Sequence, residues 1–314
     1  MPIEPRVRRI VSIMNALDRG TEDVVMAQRR RASAATAKRL GFLVMRKGPE
    51  PAEQVDRLVP VDGGKIVVRT YRPHGPRPFP LYVFLHGGGW CVGTVAERDP
   101  RCRAIAEGAG CVVASVDYRM APENGYPTPG EDCYAALSWL VEHADELDVD
   151  PTRVAIGGES AGGNLAAVAC LMARDRSGPA IRHQWLDVPA TDLTLSQPSV
   201  ASIPDGLLLD RAAIDRYTAH YLADPSQATD AYASPLLASD LSGLPPAWIM
   251  SAEFDKLRDD GAAYAKALEA AGVPTEYRLL RGHVHPSFAF TRLVPSAAAY
   301  QQDAIAALAM ALHF

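Results

Sequence analysis

Gly157-Gly158-Glu159-Ser160-Ala161-Gly162-Gly163 places a serine between glycines, directly after the apolar, strand-like segment Arg153 to Ile156. A hydroxyl attacks only if it stands clear of its own backbone. A sharp strand-to-helix turn does this by forcing the residue into a strained conformation, in which bulky flanking residues would clash. Gly158 and Gly162 remove those clashes. Asn164 to Arg174, rich in Ala and Leu and free of Gly and Pro, predicts a helix whose positive end points at Ser160 and favours negative charge there. A short GxSxG pattern also occurs in ordinary tight turns that open a helix, so its neighbours in the chain decide its meaning.

Upstream, the continuous apolar run Leu81 to Leu85 reads as a buried strand and ends in His86-Gly87-Gly88-Gly89-Trp90. Successive glycines leave backbone N–H groups unshielded. Acyl transfer passes through a tetrahedral oxyanion, and each donor preorganised toward it is worth about 3 kcal/mol. Gly88 and Gly89, with Ala161 just after the serine, are the expected donors. The base should follow nucleophile and acid in chain order, on a loop after the last strands. Of eight histidines, His283 and His285 occupy that place, after the strand-like segment Thr275 to Leu280 and the turn at Gly282. On an extended segment they point to opposite sides, so one faces Ser160. His285 is chosen, and His283 is expected at the surface or behind the reacting groups. A two-histidine metal site lacks a third ligand at recognisable spacing. For the acid, the buried strand Pro246 to Ala252 runs into Glu253, Asp255, Asp259 and Asp260. Asp259 and Asp260 suit capping of a helix over Gly261 to Ala271. Glu253 abuts the strand, while Asp255 lies on the loop and is chosen.

Together, HGGGW at 86–90, Asp117-Tyr118-Arg119-Met120-Ala121-Pro122-Glu123, GESAGG, and the block from Ser234-Pro235-Leu236 through Asp255-Lys256-Leu257-Arg258-Asp259 resemble the bacterial hormone-sensitive-lipase family. This family is a carboxylesterase branch of the α/β-hydrolases. The resemblance implies Ser160 as nucleophile, Asp255 as acid, His285 as base, and Gly88, Gly89 and Ala161 as the oxyanion hole. It implies an eight-stranded, mostly parallel sheet with helices on both faces and a helical cap. It also implies short- to medium-chain ester substrates, no metal or cofactor, and a homodimer. Three positions depart from the family pattern: Glu159 replaces Asp, Met120 replaces Leu, and Pro286-Ser287-Phe288 follows His285 where Gly-Phe is usual. Asp117, Arg119 and Glu123 are expected to brace their loop rather than touch substrate.

Helical stretches at Asp99 to Ala109, Gly130 to His143, Asn164 to Arg174 and Gly261 to Ala271 alternate with the apolar runs, as in a parallel sheet covered on both faces. Leu58 to Pro60 and Ile66 to Tyr71, joined through Gly63-Gly64, predict an antiparallel hairpin at its edge. The 314 residues and 48% hydrophobic content suit one large domain, residues 1–314. Two regions fall outside the alternation. The N-terminal stretch predicts helices at Arg8 to Leu17 and Glu22 to Leu40, the second opened by Thr21 and closed by Gly41. Ser196 to Ala233 holds another, Asp210 to Leu222. These regions, about 1–45 and 196–233, are the expected cap, which excludes water and shapes the acyl pocket. A net charge of −5 argues against nucleic acid as a partner, and Arg29-Arg30-Arg31 reads as a solvated helix face. No segment has signal-peptide or membrane-spanning character, so a cytoplasmic enzyme acting on small-molecule esters is expected. Five cysteines without a CxxC argue against a disulfide framework, and Cys91 reads as a packing residue. Amidase, lactonase and sugar acetylesterase are the alternatives on the same machinery. A small-molecule-binding protein of the same fold is the alternative outside catalysis.

Overall fold

The computed structural model describes residues 2–17 and 26–314. Eight strands form one sheet: β1 (Glu53–Val61), β2 (Gly64–Arg72), β3 (Phe79–Leu85), β4 (Val112–Asp117), β5 (Val149–Glu159), β6 (His183–Asp187), β7 (Ala247–Phe254) and β8 (Thr275–Val284). Their spatial order is β1-β2-β4-β3-β5-β6-β7-β8. β1 pairs antiparallel with β2, and β2 with β4, while β4, β3, β5, β6, β7 and β8 run parallel. The expected hairpin is therefore present at the sheet's edge, turning at Gly63, whose φ of 71° suits a residue without a Cβ.

Helices follow as α1 (Pro5–Leu17), α2 (Met26–Val44), α3 (Val95–Ala109), α4 (Thr128–Glu142), α5 (Ala161–Asp175), α6 (Pro198–Ser202), α7 (Arg211–Tyr221), α8 (Arg258–Ala270) and α9 (Pro295–His313). Strand side chains alternate between the two faces, which divides the core in two. Leu81, Val83 and Leu85 of β3 and Ile249 of β7 pack with Leu137 of α4, Leu165 of α5 and Leu268 of α8. Tyr82 and Phe84 of β3 and Trp248 and Met250 of β7 pack instead with Ile105 of α3 and Leu308 of α9. Both faces of the central strands are thus buried, as parallel strands require.

The helices differ from the sequence expectation in several places. Pro100 makes Asp99 look like a helix start, yet α3 begins one turn earlier, where the Thr94 hydroxyl caps it by accepting from Glu97 N at 3.3 Å. Gly41 does not close α2, which continues to Val44. A mid-helix glycine costs only about 1 kcal/mol against alanine, and tertiary contacts override it. The expected start of that helix, with Thr21, lies outside the described residues. α9 adds a helix to those expected, covering the α3 face of the sheet.

Candidate active site

β5 ends at Glu159, α5 begins at Ala161, and Ser160 between them has φ 56° and ψ −119°. Such a backbone costs about 1–3 kcal/mol and persists only where its surroundings hold it. Ser160 N donates to Asp187 O of β6 at 2.8 Å, and Asn164 N donates to Ser160 O at 3.0 Å. The turn is also crowded. A Cβ on Gly158 would lie 2.5 Å from Leu85 O, and one on Gly162 would lie 2.1 Å from that same carbonyl. Glycine is thus the residue that allows α5 to start directly against β3.

The ends of β7 and β8 supply the other two groups. His285 Nδ1 lies 2.7 Å from Asp255 Oδ2, and His285 Nε2 lies 2.9 Å from Ser160 Oγ. Asp255 is 2% exposed, and its second oxygen accepts from Leu257 N at 2.9 Å, which fixes the carboxylate plane. The glycine-rich loop sits beside them. A Cβ on Gly87 would fall 3.3 Å from Ser160 Cβ. Gly88 O accepts from Cys91 N and Val92 N at 3.1 and 3.0 Å, curling the loop at Gly88 and Gly89, whose φ values are 132° and 57°. Trp90 Nε1 donates to Asn164 Oδ1 at 3.3 Å and its ring stacks on Tyr221 of α7 at 4.5 Å. Ala161 N–H is the first of α5, where no preceding turn supplies an acceptor. The six residues expected to act together, Ser160, Asp255, His285, Gly88, Gly89 and Ala161, therefore lie on adjoining loops at the C-terminal edge of the parallel strands.

Several neighbours have roles that the sequence left open or pointed away from. His283 takes the second of its two expected places, buried behind the reacting groups between Ser287 Oγ and Ser296 Oγ, each 2.8 Å from a ring nitrogen. Burial pushes its imidazole down to about 4. Ser287 Oγ donates to Val284 O at 2.9 Å, so it accepts from His283 Nδ1, and the histidine braces the loop that carries His285. Asp260 is not a helix cap. It is fully buried and accepts from Thr191 N and Asp192 N at 2.8 and 2.9 Å, stitching the loop after β6 to α8, and burial raises its carboxyl. Glu253 accepts from Gly282 N at 2.7 Å and ties β7 to β8. Arg30 is not a solvated helix charge: it donates to Cys91 O at 2.5 Å, to Ala121 O and to Glu123. Arg29 lies over the Tyr217 ring at 5.9 Å, and Tyr217 in turn rests on Gly89, where a Cβ would meet its ring at 2.4 Å. Glu123 thus braces its loop through α2, and Arg119 does so through Asp132 at 2.6 Å. All five thiols are free and buried, and burial holds Cys91 up at about 12, so it is a packing residue rather than a nucleophile.

Behind Ser160 lies a cluster that residue patterns did not single out. Glu159 is paired with Arg98 and Arg101, and Arg101 also with Asp187. The signal in the sequence was Glu159 itself, a charge inside a close-packed turn, which requires a buried partner. Burial would raise the Glu159 carboxyl, but Arg98 and Arg101 outweigh it and hold the group below its usual range. Among the described residues no group of three or more His, Cys, Asp or Glu is placed to hold a metal ion.

Fold and site define the class: a hydrolase of the α/β type, in which hydroxyl, imidazole and carboxylate converge at the C-terminal edge of a mostly parallel sheet. A family model described as alpha/beta hydrolase fold matches residues 82–289, and the chain belongs to that family, in the carboxylesterase branch of the bacterial hormone-sensitive-lipase type. It is 45% identical to the carboxylesterase NlhH of Mycobacterium tuberculosis over 82% of each chain. It is 44% identical to the carboxylic ester hydrolase LipN of the same organism, over 83% of this chain and 71% of that one. Among solved structures, a hyperthermophilic esterase from the archaeon Pyrobaculum calidifontis superposes with a TM-score of 0.94 at 34% identity, covering 99% of both chains.

Proposed function

We propose that this carboxylic ester hydrolase cleaves short- to medium-chain acyl esters through an acyl-enzyme on Ser160, with His285 as general base and Asp255 as its orienting acid. The observation that carries the reading is the unbroken hydrogen-bonded chain from Ser160 Oγ through His285 to Asp255. His285 donates Nδ1–H to Asp255, which leaves Nε2 to accept the serine proton as Oγ attacks the ester carbonyl carbon. The carbonyl oxygen becomes an oxyanion, and the N–H groups of Gly88, Gly89 and Ala161 donate to it, aided by the positive end of α5. Collapse breaks the bond to the alkoxy oxygen, which leaves with the proton held on Nε2. Water then attacks the acyl-enzyme by the same route and releases the carboxylic acid.

The described residues of 1–45, together with 196–233, act as the cap within one catalytic unit. In support, Tyr217 of α7 rests on Gly89, and Arg30 of α2 holds the carbonyl of Cys91 beside the glycine loop. A ring so close to the oxyanion donors leaves less room for a long acyl chain. The free, buried thiols fit a reducing, cytoplasmic setting. Among the described residues no helix is long and apolar enough to cross a membrane. β8 is the last strand in the sheet order, and its outer edge, which Glu4 N meets at Gly282 O, suits a second copy of the chain, and so a homodimer.

Hydrolysis of p-nitrophenyl esters from acetate to palmitate by wild type, Ser160→Ala, His285→Ala and His283→Gln tests this, with circular dichroism to confirm folding. Activity should peak at short or medium chains, fall by about 10⁴- to 10⁶-fold without Ser160 or His285, and survive without His283. A folded, inactive His283→Gln beside an active His285→Ala would overturn the assignment of the base. Wild type inert on every ester would hand the site to amide, lactone or sugar-acetyl substrates, or to binding alone.

A further inference from the structure

The acyl-transfer steps leave the charges behind Ser160 without a task, although burying them is expensive. Glu159 is 4% exposed, Asp187 0% and Arg101 7%. Arg101 donates through one terminal nitrogen to Glu159 Oε2 at 3.1 Å and through the other to Asp187. Arg98 closes on the remaining oxygen of Glu159. Asp187 also accepts from Trp185 Nε1 at 2.8 Å and from the Tyr300 hydroxyl. Two arginines and two carboxylates, with Glu97 3.4 Å from Arg98, thus form a largely buried charged cluster.

Arg101 touches three separate parts of the active site's support. Glu159 is the residue before Ser160. Asp187 is the residue whose carbonyl holds Ser160 N at 2.8 Å. The face of the guanidinium lies 5.1 Å from the centroid of Phe288, which belongs to the loop that begins at His285. It also lies 5.3 Å from Trp185 and 5.7 Å from Phe84, so three aromatic rings surround the group. Its Nε has no partner. Exchange of a buried charge cluster for apolar residues is often neutral or stabilising, so stability alone accounts poorly for this one. This one links the strained turn of the serine to the loop of the histidine, whose reacting atoms stand 2.9 Å apart.

We propose that Arg101 is a positioning residue of the esterase: it sets the Ser160 Oγ to His285 Nε2 separation by clamping Glu159, Asp187 and Phe288 together. The proposal rests on the Ser160, His285 and Asp255 reading given above. Arginine suits the task because its planar fork meets two carboxylates and still presents a face to a ring, which lysine cannot do.

The test compares Arg101→Met, Arg101→Lys, Phe288→Leu and Arg101→Met with Phe288→Leu combined, in the full chain. It reads kcat and KM on p-nitrophenyl butyrate and the rate at which a fluorophosphonate labels Ser160. A displacement of about 1 Å in a reacting pair costs about 100-fold. Arg101→Met should therefore lose about that factor in kcat, with KM within about twofold and labelling slowed in parallel. Arg101→Lys and Phe288→Leu should lose less. The combined variant should be no slower than Arg101→Met, because both changes break one linkage. A folded Arg101→Met with wild-type kcat, or losses that simply multiply in the combined variant, would overturn the proposal. If Arg101→Met does not fold, Arg101→Lys and Phe288→Leu decide: wild-type kcat in both overturns it. Failure of the underlying reading looks different, since wild type would then escape labelling or Ser160→Ala would remain active.

Discussion

The strand ends that carry Ser160, Asp255 and His285 and the segments proposed to cover them are held by different kinds of contact. Ser160, Asp255 and His285 stand one residue beyond β5, β7 and β8, so backbone ladders between neighbouring strands fix where each chain leaves the sheet. The cover has no such ladder: scattered backbone bonds, such as Glu4 N to Gly282 O at 2.9 Å and Tyr126 N to Tyr221 O at 2.7 Å, join apolar packing and single side chains in holding it. Arg30 of α2 reaches Cys91 O, and Asn15 of α1 reaches Gly206 O at 2.8 Å. Lys256 Nζ reaches Ile203 O at 2.6 Å, Val200 O at 3.2 Å and Asp205 Oδ1 at 3.1 Å. A strand-end change should therefore stop chemistry while leaving the fold intact, and a cover change should tilt substrate choice or stability by degrees.

The largest effect separating the two regions belongs to Asp255→Asn. Oδ2 now fixes the imidazole with Nδ1–H toward it, and an amide there favours the wrong tautomer without moving any strand. By analogy with the same change in serine proteases, kcat should fall by about 10⁴-fold, equal to about 5 kcal/mol of barrier, on every ester tested. Circular dichroism and melting should stay near wild type. A loss confined to long-chain esters would mean that the acid loop belongs functionally to the cover.

Acid should act on the sheet before the cover. His86, His183 and His283 are all buried in the body of the fold, and burial pushes each imidazole down to about 4. In the unfolded chain they protonate near 6.5, so between 6.5 and 4 the unfolded state binds more protons and stability falls as pH falls. At pH 5 the loss is about 2 kcal/mol for each of the three. Urea unfolding from pH 7.5 to 5 measures it. His283→Gln should flatten the slope by about one proton's worth, and an unchanged slope would show that this histidine stays solvated.

The sequence was most readable where geometry tolerates only one residue type. Gly158 and Gly162 face carbonyls at 2.5 Å or less, so the serine turn announces itself, and the continuous apolar run of β3 follows from its two buried faces. Contacts that depend on chain folding at long range left little trace. Arg98, Arg101 and Tyr300 look like ordinary helix residues until α3 and α9 pack on the same face of the sheet. His283 gave no sign of burial, because its partners Ser287 and Ser296 are common loop and helix residues. Arg30 read as solvated for the same reason: its acceptors are backbone carbonyls 61 and 91 positions away.

The smallest effect is the finest test of the comparison, because Lys256 belongs to both regions. It follows Asp255 in the chain, yet its side chain is spent on the cover segment 199–205, and its own carbonyl accepts from Ser199 Oγ at 2.7 Å. Lys256→Met keeps the apolar stem and removes the ammonium, so two buried carbonyls lose a charged donor while the loop geometry at Asp255 keeps its bond to Leu257 N. Losing such a donor costs about 1–3 kcal/mol, which lowers Tm by a few degrees in a chain this long. If the two regions are independent, kcat on p-nitrophenyl acetate stays near wild type while the octanoate-to-acetate ratio shifts by several-fold, because Leu207 and Leu208, just beyond the segment Lys256 holds, pack against the apolar cluster that contains Val284, the neighbour of His285. If kcat instead falls equally on acetate and octanoate, Lys256 acts through Asp255, and the cover is part of the machinery that orients the base.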